Sequence, residues 1–472
     1  MDLYDLNKIK KIDIFTRHFY LPKSNFYLGG IMINGQMLNE IRHLYPEINL
    51  VFSYREWQTD FLRFYHSQIN YNITKSSTTI SVTMEKAKKK LSFTIQNPTK
   101  ESIIKMIDEN KSFIDMVPQD SEFVNFDDDD GIIEVEKKLN NTEEMSLEKK
   151  IEILKKISED AKQYDFDIFG TFLCNYQKVL YQSDKGVEKM HEQSPIMLDI
   201  KAVSNKNEVT IIEKYGSEDF STFDLDLFLS RFNEKIKTAT EDVVDVDPGN
   251  YVAILSPYAT AQFIYYLLYN AGANSLYSKQ SFFMDKKGKK LFPESINLYD
   301  DPFEKGLIAS PYGAEWHLLK KLPIIEKGVF KNFMVDNYYG KILGLDVNGA
   351  EGSNIVMATG NDDLSEMIKS VKNGLYISNI HYMNFINFTE TSVTGLTRDG
   401  TFLIKDGKLS KVVNNLRFTL KISELLENVT MIENKNHTVP ESSNYGYFEV
   451  YSAKVPHIKT EKFHISSSTK TI

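Results

Sequence analysis

Apolar and polar positions alternate most clearly between residues 78 and 96. TTISVTME is followed by Lys86-Ala87-Lys88-Lys89 and then KLSFTIQ, which predicts a β-hairpin with a basic tip. A solvated, charged tip also discourages edge-to-edge pairing. Asn97-Pro98-Thr99 then predicts a turn ending in an N-cap, and Ile103, Ile104 and Ile107 share one face of the helix that follows. Ahead of the hairpin, 38–44 suits a short helix and 48–52 a strand, while 56–71 mixes Phe61, Phe64 and Tyr65 with charged and amide residues. The strongest helical period lies at 147–162, where Leu147, Ile151, Leu154, Ile157 and Ala161 recur and Glu and Lys fill the opposite face. Strands are predicted at 171–174, 178–181, 197–203 and 208–214, with a turn at Ser183-Asp184-Lys185-Gly186, and a second amphipathic helix at 223–239.

Asp247-Pro248-Gly249-Asn250 reads as a linker. After it come a strand at 251–255, a helix from Pro257, an apparent hairpin over 280–292 turning at Lys287-Gly288, and a hairpin over 323–333 turning at Lys327-Gly328 with Ile325 opposite Phe330. From 374 to 420, short runs of Tyr, Ile, Phe, Val and Thr alternate with turn signals at Gly395, Asp399-Gly400 and Asp406-Gly407. Asp406-Gly407 suits a type I′ turn, because both central residues need positive φ, and that register sets Ile404 opposite Leu409. Strands at 447–451 and 455–463 and a polar tail from 466 close the chain. The expected class is α+β: N-terminal (1–115) and middle (116–246) layers of hairpins and helices, then a β-rich C-terminal domain (247–472).

The length of 472 residues suits about three domains. With 42% hydrophobic and 26% charged residues, the chain is ordinary globular protein. A net charge of −9 argues against a nucleic-acid footprint, since lysines are accompanied by acidic residues almost everywhere. The N-terminus lacks the apolar run of a signal peptide, and Pro257, Gln262, Asn270 and Gly272 interrupt the most apolar window. The expectation is a cytoplasmic protein with no membrane or nucleic-acid partner.

Little here carries chemistry. One cysteine, Cys174, excludes an intrachain disulfide and reads as a small buried hydrophobe. The acidic run at 126–131 fails the EF-hand spacing and reads as a solvated loop, and Asn348-Gly349-Ala350-Glu351-Gly352 lacks the phosphate-loop Lys and reads as a surface turn. No two histidines stand four apart on a predicted helix. His457 and His464 would face opposite sides of one strand, and His317 and His381 read as structurally satisfied.

The order Thr394-Gly395-Leu396-Thr397-Arg398-Asp399-Gly400, Phe402-Leu403-Ile404, an Asp-Gly turn and Val413-Asn414-Asn415-Leu416-Arg417-Phe418 resembles the C-terminal domain of the TldD/PmbA family. That family was named for modulation of DNA gyrase and is associated with metal-dependent peptidase activity. The likeness runs through the middle segment, where Gln182-Ser183-Asp184-Lys185-Gly186 replaces the usual Asn-Ser-x-Gly. It implies that an active, TldD-type chain carries His-Glu-x-x-x-His on the helix after the Leu-x-Pro strand end, with a further cysteine ligand near the C-terminus. Here Leu255-Ser256-Pro257 marks the strand end, and Tyr265, Tyr266 and Asn270 fall within the motif's place. No His or Glu lies between Tyr251 and Asn274, so neither a catalytic nor a metal-ligating residue is expected there.

The resemblance therefore implies a PmbA/TldE-like, non-catalytic subunit. Its zinc would lie in a TldD-like partner, and its substrates would be short or unfolded peptides. Tyr376, His381, Tyr382, Asn384 and Arg398 are the expected lining of a peptide groove, where strand edges lend main-chain hydrogen bonds. The 263–269 helix, apolar nearly all round, is expected to be buried or to meet a partner. The alternatives are a binding scaffold with no peptidase partner and a self-sufficient metallohydrolase using Asp, Glu and lone histidines, which tightly held zinc in the isolated chain would favour.

Overall fold

The computed structural model describes residues 4–5, 33–124, 145–442 and 448–468. The acidic run at 126–131 lies outside the described residues, as do the first residue of the closing strand expected at 447–451 and the last four residues of the expected tail.

The first large sheet is made of β1 (Tyr4–Asp5), β2 (Asn49–Tyr65), β3 (Gln68–Lys86), β4 (Lys89–Gln96), β5 (Phe166–Gln182), β6 (Glu188–Gln193), β7 (Ile196–Ser204) and β8 (Thr210–Ser217). Its order is β1-β3-β2-β5-β7-β8, with β4 on β3 and β6 on β5. The basic-tipped hairpin is β3–β4, and its turn residues Ala87 and Lys88 take φ of 50° and 62°. β2 pairs with β5 from Phe52↔Gln182 to Phe64↔Gly170, so the segments expected on either side of residue 115 share one sheet.

One expectation fails here. Residues 171–174 and 178–181 are not separate strands but parts of the 17-residue β5. The polar stretch Asn175-Tyr176-Gln177 does not break it, because β2 pairs with it throughout, while on the other side β7 hands over to β6. The mixed stretch 56–71 belongs to the long β2–β3 hairpin. Its turn, His66-Ser67, holds φ of 49° and 57° without glycine. Asp167 of β5 pins it, with His66 Nδ1 at 3.0 Å and the Ser67 hydroxyl donating at 3.2 Å.

Among the described residues, four helices cover this sheet: α1 (Gly35–His43), α2 (Lys100–Asn110), α3 (Leu147–Lys162) and α4 (Leu225–Ala239). Thr99 caps α2 in a reciprocal capping box with Ser102. On α3 the apolar face is Ile153, Leu154, Ile157 and Ala161, as its period requires. Lys150 departs from the solvated face expected of it. Its side chain is fully buried, with the ammonium on the Asp60 carboxylate of β2 and over the ring of Phe172. Cys174 is buried beside it, and burial pushes the thiol up to about 11, which makes it inert.

The C-terminal half begins with β9 (Gly249–Leu255), α5 (Pro257–Tyr269) and α6 (Ala273–Tyr277), and then β10 (Leu298–Asp300), β11 (Leu322–Glu326) and β12 (Val329–Phe330). Ile325 pairs with Phe330 as expected. The hairpin expected over 280–292 is instead a series of turns held by Phe283 and Phe292 in the core, with Phe283 stacked on Phe330 at 4.2 Å. Its Gly288 amide donates to Phe330 O of β12 rather than across the expected hairpin. Next come α7 (Asn337–Leu343), β13 (Ile355–Met357), α8 (Leu364–Lys369), β14 (Asn373–Asn387), β15 (Ser392–Lys405), β16 (Lys408–Val412) and β17 (Leu416–Lys421). The last elements are α9 (Ile422–Glu427), β18 (Val429–Ile432), β19 (His437–Ser442), β20 (Val450–Val455) and β21 (Ile458–Ser468). β21 therefore runs into the residues expected as a tail.

A second sheet runs β12-β11-β10-β13-β20-β19. The third runs β14-β9-β21-β17-β15, and a further β14–β15 pairing closes these five strands into a ring, with β16 on β15 and β18 on β21. Alternation divides the ring's side chains. Leu375, Ile377, Val393, Phe418 and Phe463 join one core with Phe263, Ile264 and Leu267 of α5. Tyr376, Phe402, Ile404 and Ile254 turn the other way, into the core formed with α3, α4, β5 and β7.

Asp406-Gly407 is the expected turn, with φ of 48° and 73° and Ile404 opposite Leu409. Gly395 and Asp399-Gly400 are not turns but lie inside the 14-residue β15. At Gly395 a Cβ would come 2.6 Å from the Phe418 ring, so the glycine serves close packing. Asp399-Gly400 is a bulge, since these two residues of β15 oppose the single Ser378 of β14.

Candidate functional site

The helix on which the resemblance puts a metal motif is α5. Ser256 caps it, Pro257 opens it at N1, and from Pro257 to Leu268 most of its side chains are buried. It is a core helix, with only Tyr269, half-exposed, reaching well into solvent. Phe263 meets Phe418 and Phe463 at 5.5 and 6.1 Å. Tyr265 packs edge-on against Tyr451 at 6.3 Å, and its hydroxyl oxygen has neither solvent nor a hydrogen-bond partner among the described residues. Burial, and then the neighbouring Tyr451 and Glu441, push that phenol well above its ordinary range. The Tyr266 hydroxyl donates to Met383 O. Asn270 is buried, and its side-chain oxygen accepts from Phe282 N at 3.1 Å. These residues pack rings and fix loops. A phenol with no base beside it and a committed amide do not make a zinc donor set, so the residues present do not fit the metal that the resemblance implies at this place.

Beside α5 lies a buried polar seam between the first sheet and the ring. Lys214 of β8 meets Glu441 of β19 at 3.1 Å and Asp199 of β7 at 3.8 Å, and Gln262 of α5 reaches Glu441 at 3.5 Å. Burial opposes the Lys214 cation, but Glu441 and Asp199 outweigh it and hold the amine above its ordinary range. Burial also raises Asp199. Tyr258 of α5 accepts from Lys214 N at 3.1 Å and donates to Lys214 O at 3.0 Å. Glu213 takes Lys235 at 2.6 Å and Arg231 at 3.3 Å.

At one end of this seam Glu433, His437 and His457 converge. Glu433 Oε2 lies 2.6 Å from His457 Nδ1 and 2.8 Å from His437 Nε2, and the three donor atoms all lie within 4.8 Å of one another. His457 Nε2 is 3.1 Å from the Tyr376 hydroxyl. Burial lowers His457, and the two imidazoles more than offset burial to lower Glu433. Sequence reading missed this group. Glu433 and His437 stand four apart but across a strand end and a turn, and His457 is far along the chain, so no period or motif links them.

The expected groove residues divide. His381, Tyr382, Asn384 and Arg398 lie together where β14 meets β15. Asn379 pairs with Arg398 and His381 with Leu396, and the Asn384 amide donates to Tyr382 O at 3.2 Å. A bulge in β14 at Tyr382, whose φ is 56°, leaves that ring 78% exposed. Burial and then Arg398 lower His381. Tyr376 is the correction: it is 6% exposed, with its hydroxyl 3.1 Å from His457 Nε2, so it is buried and lines no exposed groove. His317 is satisfied, with Nε2 2.9 Å from Asn337 Oδ1.

The model of the PmbA/TldA metallopeptidase C-terminal domain matches residues 248–467. The chain is 23% identical over 179 residues to a "Metalloprotease PmbA homolog" of Buchnera aphidicola, covering 36% of this chain and 39% of that protein. With a "Zinc metalloprotease TldD homolog" of Saccharolobus solfataricus it shares 23% over 269 residues, covering 52% of this chain and 59% of the other. The aligned part thus spans between about two fifths and three fifths of these curated relatives. The fold matches that of TldE from Thermococcus kodakarensis with a TM-score of 0.81 at 20% identity, covering 91% of this chain and all of that one. No described helix is long and apolar enough to cross a membrane. Residues 248–467 are thus similar to the PmbA/TldA metallopeptidase C-terminal domain, in a chain whose α+β fold is that of TldE.

Proposed function

We propose that this chain is the non-catalytic, PmbA/TldE-like subunit of a metal-dependent peptidase, working in the cytoplasm on short or unfolded peptides. A TldD-like partner supplies the zinc and the general base. The observation that carries this reading is the state of α5. Where the family's active members are expected to place His-Glu-x-x-x-His, this helix buries Tyr265 against Tyr451 and commits Tyr266 and Asn270 to structural hydrogen bonds. The exposed Tyr382, with His381, Asn384 and Arg398 around it, offers the peptide an aromatic and polar surface beside a bulged strand.

The test is co-expression with a homologue bearing the His-Glu-x-x-x-His motif. The reading expects a stable complex, with peptidase activity only when both chains are present. Independent purification of the two chains with no mutual affinity would leave a scaffold with no peptidase partner. Activity in this chain alone would leave a self-sufficient metallohydrolase.

A further inference from the structure

The group at the end of the polar seam has a frame built before any ion is considered. Glu433 N donates to His457 O at 3.0 Å, Gly360 N to Glu433 O at 2.9 Å, and His457 N to the Glu433 carboxylate at 3.2 Å. Two of the three side chains therefore spring from backbone positions that main-chain bonds already lock together. The third, His437, opens β19, whose pairing His437↔Val455 fixes its place. The imidazole rings stand perpendicular, with centroids 5.2 Å apart. They present Nε2 of one and Nδ1 of the other toward the same carboxylate oxygen.

We propose that Glu433, His437 and His457 hold a divalent transition-metal ion of the zinc class, through Oε2, Nε2 and Nδ1. Two imidazoles and one carboxylate are a donor set that zinc takes at about 2.0–2.2 Å, which sets ligand atoms roughly 3.3 Å apart in a tetrahedron. The present O···N separations of 2.6 and 2.8 Å need to open by only about 0.5–0.7 Å, a side-chain adjustment. Ligation through Nδ1 leaves the His457 proton on Nε2, where it donates to the Tyr376 hydroxyl oxygen at 3.1 Å, the outer partner that fixes ring and tautomer. The side chains of Glu433 and His457 are 5% and 8% exposed, and that of His437 is 26% exposed, so the ion enters past His437. No residue of α5 takes part, so this site is distinct from the family's motif. Its role is to clamp the 433–437 segment to residue 457, where the second sheet meets the ring.

The test uses the full chain, purified alone, stripped with a chelator and titrated with cobalt(II) and then zinc. The expected result is one cobalt per chain with visible ligand-field absorption, its displacement by zinc, and a higher melting temperature with zinc than without. His437→Ala, at the most exposed ligand, should fold and weaken zinc binding by at least 100-fold, and Tyr376→Phe should weaken it by about 10-fold. Absence of stoichiometric binding by the wild-type chain overturns the proposal, and so does unchanged zinc affinity in His437→Ala. Zinc bound without peptidase activity supports this site and leaves the subunit reading standing, because with a structural zinc site in this chain it is cleavage, and no longer zinc content alone, that marks a self-sufficient hydrolase. Zinc bound with chelator-sensitive cleavage supports the site and removes the subunit reading.

Discussion

If α5 is core rather than a catalytic surface, its two stranded polar atoms, Thr260 Oγ1 and the Tyr265 hydroxyl, should each be a burden. The Tyr265 hydroxyl is the one that can be removed alone, and it has no partner among the described residues and no solvent contact. Removing it as Tyr265→Phe relieves a desolvation cost of about 1–2 kcal/mol. The void left is roughly 10–15 Å³, which costs about 0.3 kcal/mol at ~24 cal/mol per Å³. The edge-on packing against Tyr451 is kept. The net expectation is stabilisation by about 1 kcal/mol, a rise in melting temperature of roughly 2–4 °C for a cooperative unit the size of the C-terminal half. Differential scanning calorimetry of the wild type and variant reads it directly. Peptide cleavage by the complex with a TldD-like subunit should be unchanged. A fall in melting temperature of 2 °C or more would mean that the hydroxyl has a partner in the folded protein, and a loss of cleavage would mean that it meets substrate. Either result would refute the reading of this helix as packed core.

Other sites give sharper losses. Glu441→Gln leaves the Lys214 cation buried with only Asp199 at 3.8 Å, and should cost about 2–3 kcal/mol in urea melts. A second substitution, Lys214→Met, should recover part of that loss. Gly170→Ala puts a Cβ 1.9 Å from Asp199 O at a φ of +143°, so it should destabilise the first sheet by about 3–5 kcal/mol and lower soluble yield. Asp399 is lowered: burial raises it, but Lys201 at 2.8 Å and hydrogen bonds from Thr210 and Asn379 outweigh that. A depressed carboxylate contributes stability above its unfolded value of about 3.9 and loses it as pH falls toward the folded value. Asp399→Asn should therefore lower stability at pH 6 and flatten its fall below about pH 4, and an unchanged acid limb would contradict the assignment.

What could be read from the sequence was local. The I′ turn at Asp406-Gly407, the Thr99 cap and the α3 stripe each depend on neighbours within a few residues, and each appears as expected. What escaped depends on a distant partner. Gly395 looks like a turn until Phe418 is placed against it, and Asn175-Tyr176-Gln177 looks like a break until β2 is laid alongside. Lys150 looks solvated until Asp60 arrives from β2. Tyr376 lies in an apolar run, Leu375-Tyr376-Ile377, that packs cores on both faces, so its pattern could not choose a side. The absence of His and Glu from α5 was plain in the sequence. The His-Glu-His group was not, because its third member comes from a separate strand junction.

The central claim is that this chain contributes no catalytic centre of its own. The most direct measurement is cleavage of an unstructured fluorogenic peptide by the chain alone, by a TldD-like partner alone and by the two together, each with and without a chelator. The account predicts background rates for this chain alone even with zinc added, and chelator-sensitive cleavage when it is combined with the partner. Chelator-sensitive cleavage by this chain alone would contradict it.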